Sequence, residues 1–126
     1  MKKSELLQNA VLLPLPDGER AAVVEVDGLP AAARGLCMER GAGLYVVCIN
    51  ASLSEDQQTE VFLHELSHVL LGHLTNRERT VKEKELEANA AAADLLGLLE
   101  RGGDSFEISL LREWKEKHGQ VVPLRA

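Results

Sequence analysis

Two histidines stand four residues apart in Val61-Phe62-Leu63-His64-Glu65-Leu66-Ser67-His68-Val69-Leu70-Leu71, a run whose only ionisable side chains are His64, Glu65 and His68. Residues four apart on a helix lie one turn above each other, with both side chains on one face. Two imidazoles in an apolar surround need polar partners to offset desolvation, and a divalent cation between them is such a partner. Glu65 sits about 100° round the helix from His64, within reach of a metal-bound water without being a ligand itself. Zinc lowers the pKa of that water towards neutrality, and a carboxylate can then take its proton. The pattern His-Glu-x-x-His in an apolar run therefore points to a metal-dependent peptidase. It also constrains the fold, because a catalytic zinc keeps three protein ligands and an open position. Some other element must bring a third ligand over the His64/His68 face.

The rest of the chain divides around this helix. Ser4 to Leu13 is expected to form a short helix ending before Pro14, and Pro14, Pro16, Asp17 and Gly18 mark a turn. Ala21 to Val26 reads as a strand closed by Asp27-Gly28. Ala31 to Glu39 is read as a second strand, Gly41-Ala42-Gly43 as a turn, and Leu44 to Ile49, rich in β-branched residues, as a third strand. The motif helix is expected from Ser54, or two residues earlier from Ser52. Ser54 with Gln57 and Ser52 with Glu55 both fit a capping box. It should run to about Leu71, with Gly72 as terminator. A second helix is expected over Val81 to Glu100 and a third over Ser109 to Lys117. The 126 residues suit one domain, residues 1–126: an N-terminal helix and small sheet over about 4–50, the two metal-site helices over about 54–100, and a C-terminal helix over about 109–118.

For the third ligand, His73 lies nine residues after His64, where the long three-histidine motif needs ten. On a continuing helix it would point about 180° away from His64. His73 is therefore read as a loop or substrate-facing side chain. The second helix carries Glu83, Glu85 and Glu87. Projected at about 100° per residue, Glu85 shares a stripe with Asn89, Ala92, Leu96 and Leu99, whereas Glu83 and Glu87 share the opposite stripe with Asp94 and Arg101. The second stripe is charged along its length and is expected to face solvent. The first turns apolar after Asn89 and is expected to be buried, so Glu85 needs a partner there and zinc supplies one. Asn89, one turn on, can accept a hydrogen bond from a ligating imidazole and so act in the second shell. The residues between Gly72 and Val81 are enough for the two helices to fold back antiparallel.

Composition sets the outer bounds. Only four residues are Phe, Trp or Tyr, so the core must be mainly aliphatic. A net charge of −6 argues against direct nucleic-acid binding, which needs basic patches. Cys37 and Cys48 show no paired-cysteine spacing and read as core thiols in a reducing cytoplasm. The N-terminus lacks the apolar core of a secretory signal, and no stretch approaches the roughly 20 apolar residues of a membrane span.

The motif pair His64-Glu65-Leu66-Ser67-His68 and Glu85-Leu86-Glu87-Ala88-Asn89 resembles the ImmA/IrrE family of metallopeptidases. The strand Tyr45 to Asn50 and the capped helix start fit as well, and the resemblance spans about residues 33 to 99. It implies an α+β fold in which a small, mainly antiparallel sheet of about three strands packs beside a helical, gluzincin-like active site. It also implies His64, His68 and Glu85 as metal ligands, Glu65 as general base and Asn89 in the second shell. Characterised members cleave transcriptional repressors, so the resemblance implies a DNA-binding repressor or other regulatory protein as substrate. Three features depart from the family pattern. Ala91-Ala92 stands where Phe-Ala is usual, Gly97-Leu98 where Met-Pro commonly occurs, and the sequence ends soon after the third helix where many members continue. These departures bear on the shape of the cleft and on substrate recognition.

The chain is thus expected to be a zinc metallo-endopeptidase, with manganese as an alternative ion because imidazole and carboxylate accept several divalent cations. An edge of the Leu44–Ile49 strand is expected to pair with substrate backbone, and Tyr45 and His73 are candidate substrate-facing groups. The main rival is a catalytically weak, metal-containing module that recruits a regulator; hydrolysis of a small amide is the third reading.

Overall fold

The structure is a computed structural model that describes residues 9–119 and 121–125. Five strands and three α-helices follow the order β1 (Ala10–Pro14), β2 (Arg20–Asp27), β3 (Gly35–Glu39), β4 (Leu44–Asn50), α1 (Glu55–Leu70), α2 (Val81–Glu100), α3 (Phe106–His118) and β5 (Leu124–Arg125). The class is α+β, as expected.

The N-terminal segment is not the expected helix. Residues 4–8 lie outside the described residues, and Ala10–Pro14 is a strand paired antiparallel with β2 from Ala10↔Val24 to Pro14↔Arg20. Val11 and Leu13 are buried whereas Leu12 and Pro14 are exposed, an alternation with the period of a strand. An apolar run of four residues cannot be assigned by periodicity alone; the pairing with β2 decides it. A 3₁₀ turn at Pro16–Gly18 joins the strands, with Asp17 and Gly18 both at positive φ (61° and 76°).

The sheet is larger than expected and is mixed. Its order is β1-β2-β4-β3, with β5 also pairing β2. The β1–β2 and β3–β4 pairs are antiparallel, while β2–β4 and β2–β5 are parallel. Three strand segments were legible as sequence patterns; β1 and the two-residue β5 were not, because each is defined by β2. Since β4 is held on one side by β2 and on the other by β3, it has no free edge. The outer strands of that order are β1 and β3, and β3 is the one beside α1, which corrects the expectation of an open edge on the Leu44–Ile49 strand.

One face of the sheet carries the core. Val11, Leu13, Ala21, Val23, Tyr45, Val47 and Ile49 meet Phe62, Leu63, Leu66 and Val69 of α1 and Leu110, Leu111 and Trp114 of α3. The Phe62 and Trp114 rings stack, with centroids 4.9 Å apart. The other face has a smaller cluster around Val24 and Val46, which includes Cys48. The aromatic-poor core is thus aliphatic, with a single stacked pair at the α1–α3 seam. No helix among the described residues is long and apolar enough to cross a membrane.

Both ends of α1 are set by local chemistry. Ser54 caps it, accepting from the Gln57 N–H while the Gln57 side chain accepts from the Ser54 N–H. At the other end Gly72 takes φ +74°, its N–H donates to Val69 O, and the His73 N–H donates to His68 O at 3.0 Å. These two bonds are those of a Schellman stop, with glycine in the left-handed position. The chain consequently reverses over the last turn of the helix. The helix α2 starts with the same device, Thr80 and Glu83 forming a capping box, and packs against α1.

Candidate metal centre and active site

The two helices bring three ligand atoms together. His64 Nε2 and His68 Nε2 are 3.1 Å apart. Glu85 Oε2 lies 3.2 Å from His64 Nε2, and Glu85 Oε1 lies 3.1 Å from His68 Nε2. The ligand atoms of these three residues all fall within 4.8 Å of one another. Four lone-pair-bearing atoms in such proximity repel unless a cation or a proton lies among them. Imidazole and carboxylate are also the donor set a divalent ion such as zinc accepts, so the residues fit a metal. Burial pushes the His68 imidazole below its ordinary value, which outweighs the opposing pull of the Glu85 carboxylate. Neutral imidazole is the form that binds metal.

The imidazoles and the carboxylate are held differently. His68 is buried, His64 is partly so, and half of the Glu85 side chain is exposed. The Glu85 stripe of α2 is therefore not buried as expected; it forms one wall of a cleft. That cleft has a volume of about 520 Å³ and runs between β3 and the two helices. Val61, Ala92, Ala93 and Leu96 supply its apolar wall, and His64, Glu65, Glu85 and Asn89 its polar one. Glu65 is buried at 8% exposure yet faces this space, consistent with a base that is shielded but reachable.

A smaller cavity of about 300 Å³ continues on the other side of Glu65 and Glu85, reaching Leu36, Cys37, His68, His73 and Lys84. Gly35 borders both spaces. A Cβ there would collide with Val61 Cγ1 and approach the Cys48 carbonyl to 2.8 Å, so only glycine lets the edge strand pass this close to the motif helix. Cys37, two residues on, stands beside Glu65. Burial pushes its thiol well above the usual range, and the charge and hydrogen-bonding capacity of Glu65 push it further.

The remaining expected site residues fall elsewhere. Asn89 is exposed and lines the cleft next to His64 and Glu85, but among the described residues no hydrogen bond joins it to either ring. Tyr45 does not face substrate: it is buried in the core, and its hydroxyl donates to Glu19 Oε2 at 3.1 Å. His73 lines the smaller cavity and not the main cleft. It is 4% exposed and lies behind His68, with the two Nδ1 atoms 2.8 Å apart. The motif helix ends at Gly72, as expected, and the Schellman stop turns His73 back onto it. Glu87, expected in solvent, is half-buried and sits between His73 Nε2 (3.3 Å) and Arg79 Nη1 (2.5 Å). Sequence reasoning missed Gly35 and Cys37 as neighbours of Glu65. Their one signal was a glycine at the start of a strand, which marks close backbone approach.

Residues 22–96 match the family model Peptidase M78, described as the IrrE N-terminal-like domain. The chain belongs to that family. The matched span contains most of β2, all of β3, β4 and α1, and most of α2, hence all three candidate ligands and Glu65. Membership in Peptidase M78 suggests a peptidase, and the candidate ligands lie inside the matched span. No curated protein and no solved structure matches the chain.

Proposed function

We propose that this protein is a zinc-dependent endopeptidase whose substrate is a regulatory protein such as a transcriptional repressor, the class implied by the ImmA/IrrE resemblance. The observation that carries the reading is the convergence of His64, His68 and Glu85 within 4.8 Å beside a cleft bordered by Glu65. Zinc held by these three side chains would supply Lewis-acid polarisation of the scissile carbonyl and of the attacking water. Glu65 is the general base: it takes a proton from that water and returns it to the leaving amine. The open edge of β3 offers backbone N–H and C=O groups to an extended peptide, a mode that reads main chain more than side chain. Gly35 keeps that edge close to Glu65. The Val61/Ala92/Ala93/Leu96 wall then receives an apolar side chain of the bound segment. Manganese can take the place of zinc with the same donor set.

The test is incubation of zinc-reconstituted protein with repressors encoded beside its own gene, read on a gel and by mass spectrometry. Cleavage is expected that stops on chelation and returns with zinc. Glu65→Gln is expected to keep the metal and to lose about 10²- to 10⁴-fold in rate, the range of a general base. Undiminished turnover in that variant overturns the assignment of Glu65. Zinc uptake without cleavage of any repressor, casein or denatured protein favours the recruiting module over the peptidase.

A further inference from the structure

We propose that His73 is a positioning residue that fixes the orientation and tautomer of His68, and that Glu87 of α2 and Arg79 of the loop before it hold His73 in turn. The proposal rests on the reading of His64, His68 and Glu85 as metal ligands and extends it outward from the metal.

The argument follows the protons. A neutral imidazole has one N–H and one lone pair. His68 Nε2 points at His64 Nε2 and Glu85 Oε1, so a cation there takes the lone pair and the N–H must sit on Nδ1. That N–H has one neighbour to donate to, His73 Nδ1 at 2.8 Å. His73 Nδ1 then accepts, so its own N–H lies on Nε2, 3.3 Å from Glu87 Oε1. His73 Nε2 and Glu87 Oε1 are both buried atoms with no aligned hydrogen-bond partner among the described residues. Glu87 Oε1 is the acceptor that lies within reach of His73 Nε2, and Arg79 Nη1 on the same oxygen holds the carboxylate in place. With that last contact aligned, one direction of donation would run from the metal ligand to the carboxylate.

Local structure explains why this contact exists. Gly72 in the left-handed conformation ends α1, and the His73 N–H bonds back to the His68 carbonyl. The same two residues are thereby joined through backbone and through ring. At such a stop, the residue after the glycine often makes an apolar contact with the helix; here an imidazole fills that place. The two rings meet edge-on with centroids 5.0 Å apart. Partners of this kind orient ligating histidines, and their removal typically costs 10- to 100-fold in metal affinity. His73 has a further consequence: because Glu85 and Glu87 are two residues apart on α2, the arm that supplies the third ligand also supplies the end of the hydrogen-bonded chain.

The test compares zinc affinity, by competition with a chromophoric chelator, in the wild type, His73→Leu and His73→Gln. Leucine fills the site without an acceptor, while glutamine can both accept from His68 and donate to Glu87. Affinity about 10- to 100-fold weaker is expected for His73→Leu, with His73→Gln recovering most of the loss. Urea titration of the metal-free variants serves as the folding control, and a packing role alone predicts that leucine does at least as well as glutamine. Long-range ¹H–¹⁵N correlation spectra of the zinc-loaded wild type need no variant, and should show His68 protonated at Nδ1 and His73 at Nε2. Wild-type affinity in His73→Leu, equal losses in both variants, or His68 protonated at Nε2 overturns the proposal while leaving the metal site intact. A wild-type protein that takes up no zinc overturns the functional reading itself, and this proposal with it.

Discussion

The helices α1 and α2 meet at the candidate metal site but are held by unequal forces. Each opens with a capping box, and each contributes to the same three-ligand cluster. Yet α1 buries Phe62, Leu63, Leu66 and Val69 between the sheet and α3, whereas only Ala88 and Leu95 of the 20 residues in α2 are buried. Two candidate ligands thus stand on a helix built into the core, and the third stands on an arm that packs along that helix but buries far less of itself. A site assembled this way has a core-packed half, expected to be the rigid one, and a more exposed half. Holding a metal would tie the arm down, and the cleft wall formed by Ala92, Ala93 and Leu96 would be fixed with it.

The largest effect should come from breaking the rigid half. Phe62 is fully buried and stacked on Trp114, so Phe62→Ala should cost about 3–5 kcal/mol, a large part of the stability of a domain this size. Leu95→Ala on the arm should cost less, near the lower end of the roughly 2–5 kcal/mol range for such truncations. Urea midpoints give both numbers. Equal losses would mean that α2 is as integral to the core as α1, and the contrast between them would collapse.

Next in size is the metal-linked effect. Free zinc at about 100 times its dissociation constant should add roughly 2.7 kcal/mol to whatever state binds it. If the arm opens separately from the core, that gain appears first in the amides of Val81 to Asn89. Hydrogen exchange with and without zinc should show protection rising there more than in Phe62 to Val69. A uniform rise across both helices would show that the arm never opens alone.

The caps provide a finer comparison, because the same chemistry occurs at both helix starts. Ser54→Ala and Thr80→Ala each remove one cap, with a cost of about 1 kcal/mol. The first should lower the global urea midpoint and leave zinc affinity within about twofold. The second should barely move the midpoint but weaken zinc binding by up to about fivefold, the affinity equivalent of 1 kcal/mol, because fraying starts five residues before Glu85. If each cap affected both readouts alike, the two helices would be acting as a single cooperative unit.

What was legible in the sequence follows the same division. The strand β4, the helix α1 with its Ser54 cap and the exact span Val81–Glu100 of α2 could be read from the chain, because β-branched runs, capping boxes and apolar periodicity are local signals. Glu85 was also legible, since its stripe changes character along α2, although the stripe proved to be a cleft wall. The misses were all non-local. Residues Ala10–Pro14 form a strand only because β2 is there to pair with them. His73 reaches His68 only because Gly72 reverses the chain. Cys37 lies beside Glu65 only because β3 is the outer strand of the sheet, crossing the motif helix at Gly35.

Cys37 provides the smallest and most local test, on the border between the rigid half and the cleft. Its thiol is raised first by burial and then by the Glu65 carboxylate, through charge and hydrogen bonding. Cys48 is raised by burial and, second, by the charge of the same carboxylate. An unperturbed thiol ionises near pH 8.5, so at pH 8 both cysteines of the folded protein should alkylate more slowly than in urea. The sign for stability follows. A thiol whose folded value lies above its unfolded one favours the fold below about pH 8.5, and that contribution is lost as the pH rises and the unfolded chain alone releases the proton. Glu65→Gln removes the second cause but leaves the first. Iodoacetamide labelling of the metal-free protein, followed peptide by peptide in the mass spectrometer, should then speed up several-fold at Cys37 and less at Cys48, where Glu65 acts through charge without a hydrogen bond. An unchanged rate at Cys37 would separate it from Glu65 and overturn the claim that the edge strand runs against the Glu65 face of α1.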